Sequence, residues 1–235
     1  MPNIIDLKKE LKKSANPEYA KILQKFFKTA KGEYGEGDIF FGIKTPIQRK
    51  IIRNYQDMLL DDLRKLLGDK IHDFRSAALL ILTSQFKKGG ERKRNEIFDL
   101  YLKSTRHINS WDLVDTSAPH IVGNFLIDKP RNILYELAKS KNLWEKRIAI
   151  VSTFAFIRNN DFTDTLKIAK ILLNDSHDLI HKATGWMLRE VGKSDLSSEE
   201  KFLRKYCHKM PRVSLRYAIE KFSKDKRKFY LNNPK

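Results

Sequence analysis

Apolar residues recur at positions i, i+3, i+4 and i+7 in segment after segment of this chain, as in YAKILQKFF, DLRKLLG, FRSAALLILTSQF and NEIFDLYLKS. That spacing lines one face of a 3.6-residue helix and does not suit a strand, whose period is two. The breaks are as regular as the runs. Asn16-Pro17, Gly68, Gly89-Gly90, Asp128-Lys129-Pro130, Asn159-Asn160-Asp161, Asn174-Asp175, Gly192 and Pro211 separate segments of about 10 to 17 residues, the length of short helices. The pattern predicts an all-α chain of helix–turn–helix pairs.

The helices also repeat. FRSAALLIL, KRIAIVSTF, HKATGWMLR and LRYAIEKF align on Arg75, Arg147, Lys182 and Arg216, with separations of 72, 35 and 34 residues, so one member is missing halfway through the first gap. Halfway falls on Trp111, where WDLVDTSA fills the slot. A period of roughly 35 to 40 residues made of helix pairs predicts a HEAT-like repeat α-solenoid of antiparallel helix pairs with a concave basic face. In that arrangement Arg75, Trp111, Arg147, Lys182 and Arg216 form one row across the concave side. We expect a single domain over 1–235, with N-terminal helices and a Gly-rich loop in 1–50 and repeats from about 51 to 235.

Lys and Arg total 47 against 29 Asp and Glu, a formal net charge of +18, which points to a polyanionic partner. The basic runs KKELKKS, RKRNE and KDKRK are spread along the chain with helical segments between them, so the charge belongs to a folded surface. A lone cysteine, Cys207, excludes an intramolecular disulfide and reads as a small buried residue. The opening MPNIIDLKKELKK lacks the apolar centre of a signal peptide, and no apolar run has the length of a membrane span. The expectation is a soluble cytoplasmic protein, with no membrane partner, that works as a monomer.

In NSWDLVD, Trp111 and Asp115 stand one helical turn apart and share a helix face. One reading packs Trp111 in the core and gives Asp115 an interhelix salt bridge. The other makes the pair functional. Trp186 precedes Arg189 by three residues and Trp144 precedes Arg147 by three; Trp144 lies ahead of the aligned row and reads as filler between helices. Cations beside aromatic rings suit nucleic acid, because guanidinium groups hold phosphates while rings contact sugars or bases. A carboxylate on such a track would be repelled by phosphates, unless the chemistry generates positive charge beside it. Cleavage of a glycosidic bond does so through an oxocarbenium-like transition state.

Two further motifs stand out in the sequence. HDLIH, residues 177–181, is close to the zinc pattern HExxH, but Asp178 stands where a glutamate is needed and no third ligand is evident. It reads, with Asp175 and Ser176, as a helix start, and neither metal nor cofactor is expected. GEYGEGDIFFGIKTPIQRK carries Gly32, Gly35, Gly37 and Gly42 without matching a phosphate-binding loop. Its turns allow close approach of backbone to DNA beside Tyr34, Phe40 and Phe41; alternatively it connects two helices and packs its phenylalanines under the first repeat.

The motifs YGEGDIFFGIKTP, SWDLVD, WEKRIAIVSTF and HKATGWMLREVG together resemble the AlkD-like DNA alkylation repair family of HEAT-like-repeat alkylpurine DNA glycosylases, over nearly the whole chain. The resemblance implies excision of positively charged N3- or N7-alkylated purines, such as 3-methyladenine and 7-methylguanine, from double-stranded DNA in base excision repair. It assigns the catalytic carboxylate to Asp115, sugar contacts to Trp111 and Trp186, and an active-site grip on the DNA backbone to Arg147. Arg189 is expected on the DNA backbone, together with Arg75, Lys182 and Arg216 from the repeat row and Tyr34 from the Gly-rich loop. No lysine is singled out as a Schiff-base nucleophile, so a monofunctional hydrolase leaving an abasic site is expected. The competing reading is a noncatalytic DNA-binding or scaffold solenoid.

Overall fold

The computed structural model describes residues 3–232; the first two and last three residues of the expected domain lie outside that range. Among the described residues the secondary structure is helical, with one isolated parallel bridge between Ile39 and Ile71. The chain packs into two compact units, Met1–Ile121 and Val122–Lys235.

The first unit contains α1 (Ile4–Lys13), α2 (Pro17–Phe26), α3 (Thr45–Ile52), α4 (Leu60–Leu67), α5 (His72–Lys88), α6 (Glu91–Lys103) and α7 (Trp111–Ser117). Local chemistry fixes several of these ends. Asn16 accepts the Tyr19 amide at 2.9 Å with Pro17 in the first turn of α2, which places a capping side chain and a preset φ together. Asn3 accepts the Asp6 amide at 2.9 Å to cap α1, whose first turn carries Asp6 and whose last carries Lys12 and Lys13, the arrangement a helix dipole favours. Leu7 and Leu11 of α1, Leu63, Leu66 and Leu67 of α4, Ala77, Ile81 and Leu82 of α5, and Ile97 and Tyr101 of α6 are fully buried. Helix α5 is the centre of this unit, packing against α3, α4, α6 and α7.

The Gly-rich segment is a connection folded onto α2 and α5. Gly42 has φ +75° and lies so close to the Asn16 carbonyl and the Ala20 amide that a Cβ would overlap them. The Asp73 carboxylate accepts the amides of Phe41 at 2.7 Å and Ile43 at 2.9 Å, and Phe40 is buried.

The second unit contains α8 (Asn132–Ala138), α9 (Leu143–Ser152), α10 (Phe154–Ile157), α11 (Thr163–Ile171), α12 (Asp178–Ser194), α13 (Leu196–Tyr206), α14 (Arg212–Ala218) and α15 (Lys224–Asn232). Helix α12 is central, against α9, α13 and α14. A Cβ on Gly185 would overlap the Ser214 carbonyl, so α12 and α14 meet almost backbone to backbone. Gly192, expected as a break between segments, lies inside α12: the Glu199 carboxyl of α13 packs where its side chain would be. Cys207 is half-buried in the turn after α13, outside the core where it was expected. Among the described residues no helix is long and apolar enough to cross a membrane.

The aligned motifs fall on α5, α7, α9, α12 and α14, and consecutive members pack within each unit, α5 on α7 in the first and α9 on α12 on α14 in the second. Arg147, Lys182 and Arg216 each stand five residues into their helices. Trp111 opens α7, and the residue one turn in is Asp115. The offset of four exceeds the uncertainty of a helix boundary. Two positions after each stands a small buried residue, Ser117 at 0%, Ala149 at 0%, Thr184 at 2% and Ala218 at 1% exposure, with Ala77 at 0% following Arg75. By position within the helix, the residue of α7 that corresponds to Arg147, Lys182 and Arg216 is Asp115 rather than Trp111.

Candidate active site

Helix α7 presents Trp111 and Asp115 one turn apart, both half-buried. Beneath them Tyr101 and Ser117 share a buried hydrogen bond of 2.9 Å. Burial raises the Tyr101 hydroxyl far above its usual range and the Asp115 charge adds to the rise, although the Ser117 bond works the other way. Asp115 thus lies within electrostatic reach of the buried Tyr101 hydroxyl.

Behind Trp111 stands a column of rings. The indole stacks on Phe27 at 5.2 Å and 17°, Phe27 on Phe40 at 5.0 Å and 20°, and Phe40 on the His72 imidazole at 4.3 Å and 26°. Phe26, 60% exposed, adds an edge contact to the indole at 5.9 Å. Such ring contacts hold an aromatic plane with more direction than aliphatic packing does.

His72 ends the column and begins a charge network. Its Nδ1 is 3.0 Å from Asp38 and its Nε2 is 2.9 Å from Asp112, the residue that follows Trp111. Two carboxylates on the two ring nitrogens require both nitrogens to donate, which only the imidazolium can do. Burial alone would lower the His72 pKa, but Asp112 first and then Asp38 raise it to about 9. Burial likewise favours the neutral acids, yet the His72 cation holds both Asp112 and Asp38 below the usual carboxylate range, with Ser110 helping at Asp112 and Arg75 at Asp38. Arg75 donates to Asp38 at 2.5 Å and to the Asp69 carbonyl at 3.0 Å. Two cations and two anions make the network neutral as a whole.

In the second unit Trp186 is half-buried on α12 and tilted against Phe154 at 5.9 Å. Its indole N–H donates to Glu190 at 3.2 Å. Glu190 also accepts from Arg189 and Lys193, and Arg189 pairs in addition with Glu220. Lys182 forms an ion pair with Asp178 at 2.6 Å, while Arg216 is exposed on α14. Trp144 is buried, as a filler should be. His177 caps α12 by accepting the Leu179 amide, and His181 hydrogen-bonds the Asp175 carbonyl, so HDLIH does act as a helix start.

Two of the cations expected on the DNA backbone are buried. Arg75 is 4% exposed and Arg147 is 5% exposed, neither an open cation on a track. The reason is the same for both: a guanidinium in a tightly packed helix finds protein acceptors, Asp38 for Arg75 and the Leu179 carbonyl, at 2.6 Å, for Arg147. Arg147 thereby ties α9 to the start of α12. Tyr34 is half-buried with its hydroxyl 3.5 Å from the Phe26 carbonyl. Asp38, His72, Asp112 and the Phe27 ring are residues around the candidate site that sequence spacing did not reveal; His72 lies 34 and 40 residues from its two carboxylates.

Among the described residues the chain is helical, and its sequence is strongly basic. Residues 7–222 match the family model described as DNA alkylation repair enzyme, and the chain belongs to that family. A solved structure described as a predicted DNA alkylation repair enzyme from Enterococcus faecalis matches with a TM-score of 0.70 at 15% identity, over 90% of this chain and 98% of its own, a likeness of fold. No curated protein matches the sequence.

Proposed function

We propose that the protein is a monofunctional DNA glycosylase that removes N3- and N7-alkylated purines from double-stranded DNA. Family membership supports DNA alkylation repair. The observation that carries the finer reading is Asp115: a half-buried carboxylate one turn from Trp111, at the helix position where three other repeat members carry cations.

An N3- or N7-alkylpurine already bears positive charge, so the base departs neutral and needs no general acid. The demand falls on the sugar. The Asp115 carboxylate stabilises the oxocarbenium charge as the C1′–N bond breaks and orients the water that attacks C1′; the water's proton leaves to solvent or to the carboxylate. The Trp111 face, held by Phe27, packs on the deoxyribose and favours its cationic state. The family resemblance gives Trp186 a second sugar contact. On the same reading the helix pairs stack as HEAT-like repeats, Lys182, Arg189 and Arg216 meet phosphates, and the protein acts as a cytoplasmic monomer without metal or cofactor.

The test is single-turnover release of 7-methylguanine from a duplex oligonucleotide. Asp115→Asn should lower the rate by about 10²–10³-fold while the Kd for the same duplex stays within about twofold. Absence of release by the wild type, with salt-dependent DNA binding intact, would replace the glycosylase with a DNA-binding scaffold.

A further inference from the structure

We propose that His72 is a positioning residue for Trp111, fixing the indole by its ion pair to Asp112 and by the ring column; its catalytic consequence rests on the glycosylase reading above.

The two connections are independent in chemistry and converge on one side chain. The first is electrostatic. Asp112 follows Trp111 in the first turn of α7, and its carboxylate is held by His72 Nε2 at 2.9 Å and the Ser110 hydroxyl at 2.6 Å. The second is steric: the imidazole stacks on Phe40, Phe40 on Phe27, and Phe27 on the indole. His72 is the first residue of α5, and its other nitrogen is fixed by Asp38 of the Gly-rich connection. One ring thus joins three elements, and α7 is the one that carries the reactive pair.

The bridge depends on the cation. A neutral imidazole has one N–H and must turn a lone pair toward one of the two carboxylates, which repel it. The charged groups that face His72 are Asp38 and Asp112, with Arg75 behind Asp38; Asp73, next along α5, is turned to the Phe41 and Ile43 amides. Phe27 and Phe40 present their rings to the imidazole. Loss of the proton near pH 9 therefore releases Asp112 or Asp38 and frees the base of the column.

The experiment reads Trp111 and the chemistry separately. The indole N–H resonance of Trp111, assigned by its absence in Trp111→Phe, should move with the His72 ring titration, centred near pH 9 in the wild type and lower in Asp112→Asn. His72→Gln, whose amide reaches one carboxylate only, should shift that resonance at pH 7. It should slow single-turnover release about ten- to a hundredfold, as a misplaced wall of a reacting site does, with DNA affinity within about twofold. Asp112→Asn added to His72→Gln should cost little more. A Trp111 resonance that ignores the His72 titration, or a His72→Gln protein with wild-type release, overturns the proposal. Should the wild type release no base, the glycosylase reading fails by itself; the resonance then decides whether His72 positions Trp111. The wild-type titration decides it too if His72→Gln does not fold.

Discussion

The two units bury an ionisable group in opposite ways. In the first, His72 is 4% exposed and charged, with carboxylates on both sides. In the second, Glu199 is 1% exposed, its Oε1 lacks a hydrogen-bond partner, and burial with the nearby Glu200 charge raises its pKa to about 8, against a weak pull from Arg189. A buried group keeps its charge where the fold supplies partners and gives it up where the fold does not. The partnered ion sits beside the candidate site. The neutral acid lies in the packing of α12 against α13, where Gly192 makes room for it.

That contrast is broken most severely by removing a partner. Asp38→Asn leaves His72 and Arg75 as buried cations short of an anion and should lower stability by about 3–5 kcal/mol in thermal or urea unfolding at pH 7. The second test is Glu199→Gln. The native state holds a proton on Glu199 that the unfolded chain gives up above pH 4.5, so stability falls as pH rises from there to about 8. With a slope of about 1.4 kcal/mol per pH unit, the glutamine variant should gain roughly 2–3 kcal/mol over the wild type between pH 5 and pH 7. His72 shifts in the same sense over a higher window: its contribution is complete below the unfolded value of 6.5 and lost as pH rises to about 9. The alkaline decline that remains in Glu199→Gln should therefore lie between those limits, and Asp112→Asn should move it toward lower pH. The smallest effect is expected where pairing is exposed. Glu220 is 45% exposed beside Arg189, so Glu220→Gln should change stability by less than about 1 kcal/mol.

Much of the fold was readable because helix signals are local. The apolar spacing found α2, α4, α5 and α6, Asn16-Pro17 marked a true cap, and Pro211 stands just before α14. Glycine misled at 192 because its role there is set by Glu199 from the next helix. The sequence alignment falls on Trp111 by its halfway spacing; only the helix start after the extended Ser110 shows that Asp115 stands where the other aligned helices carry their cations, one turn later. Arg75 looked like a surface cation because its acceptor, Asp38, lies 37 residues earlier in a loop. The His72 bridge spans 34 and 40 residues to its carboxylates. No periodicity reports pairings of that kind.

The small residues that follow the aligned positions have a consequence for how such a chain can vary. Arg75, Asp115, Arg147, Lys182 and Arg216 are separated by 40, 32, 35 and 34 residues, an uneven ladder, yet each is followed two places on by Ala, Ser or Thr with almost no exposed surface. The connecting segments differ in length, while the small buried residues stand on helices that pack within each unit, α5 on α7 in the first and α9 on α12 on α14 in the second. Insertions in the connecting turns are the changes such an arrangement accepts. A methionine or leucine in place of Ala149, fully buried on α9, would act as a wedge and displace α12, which packs against that helix.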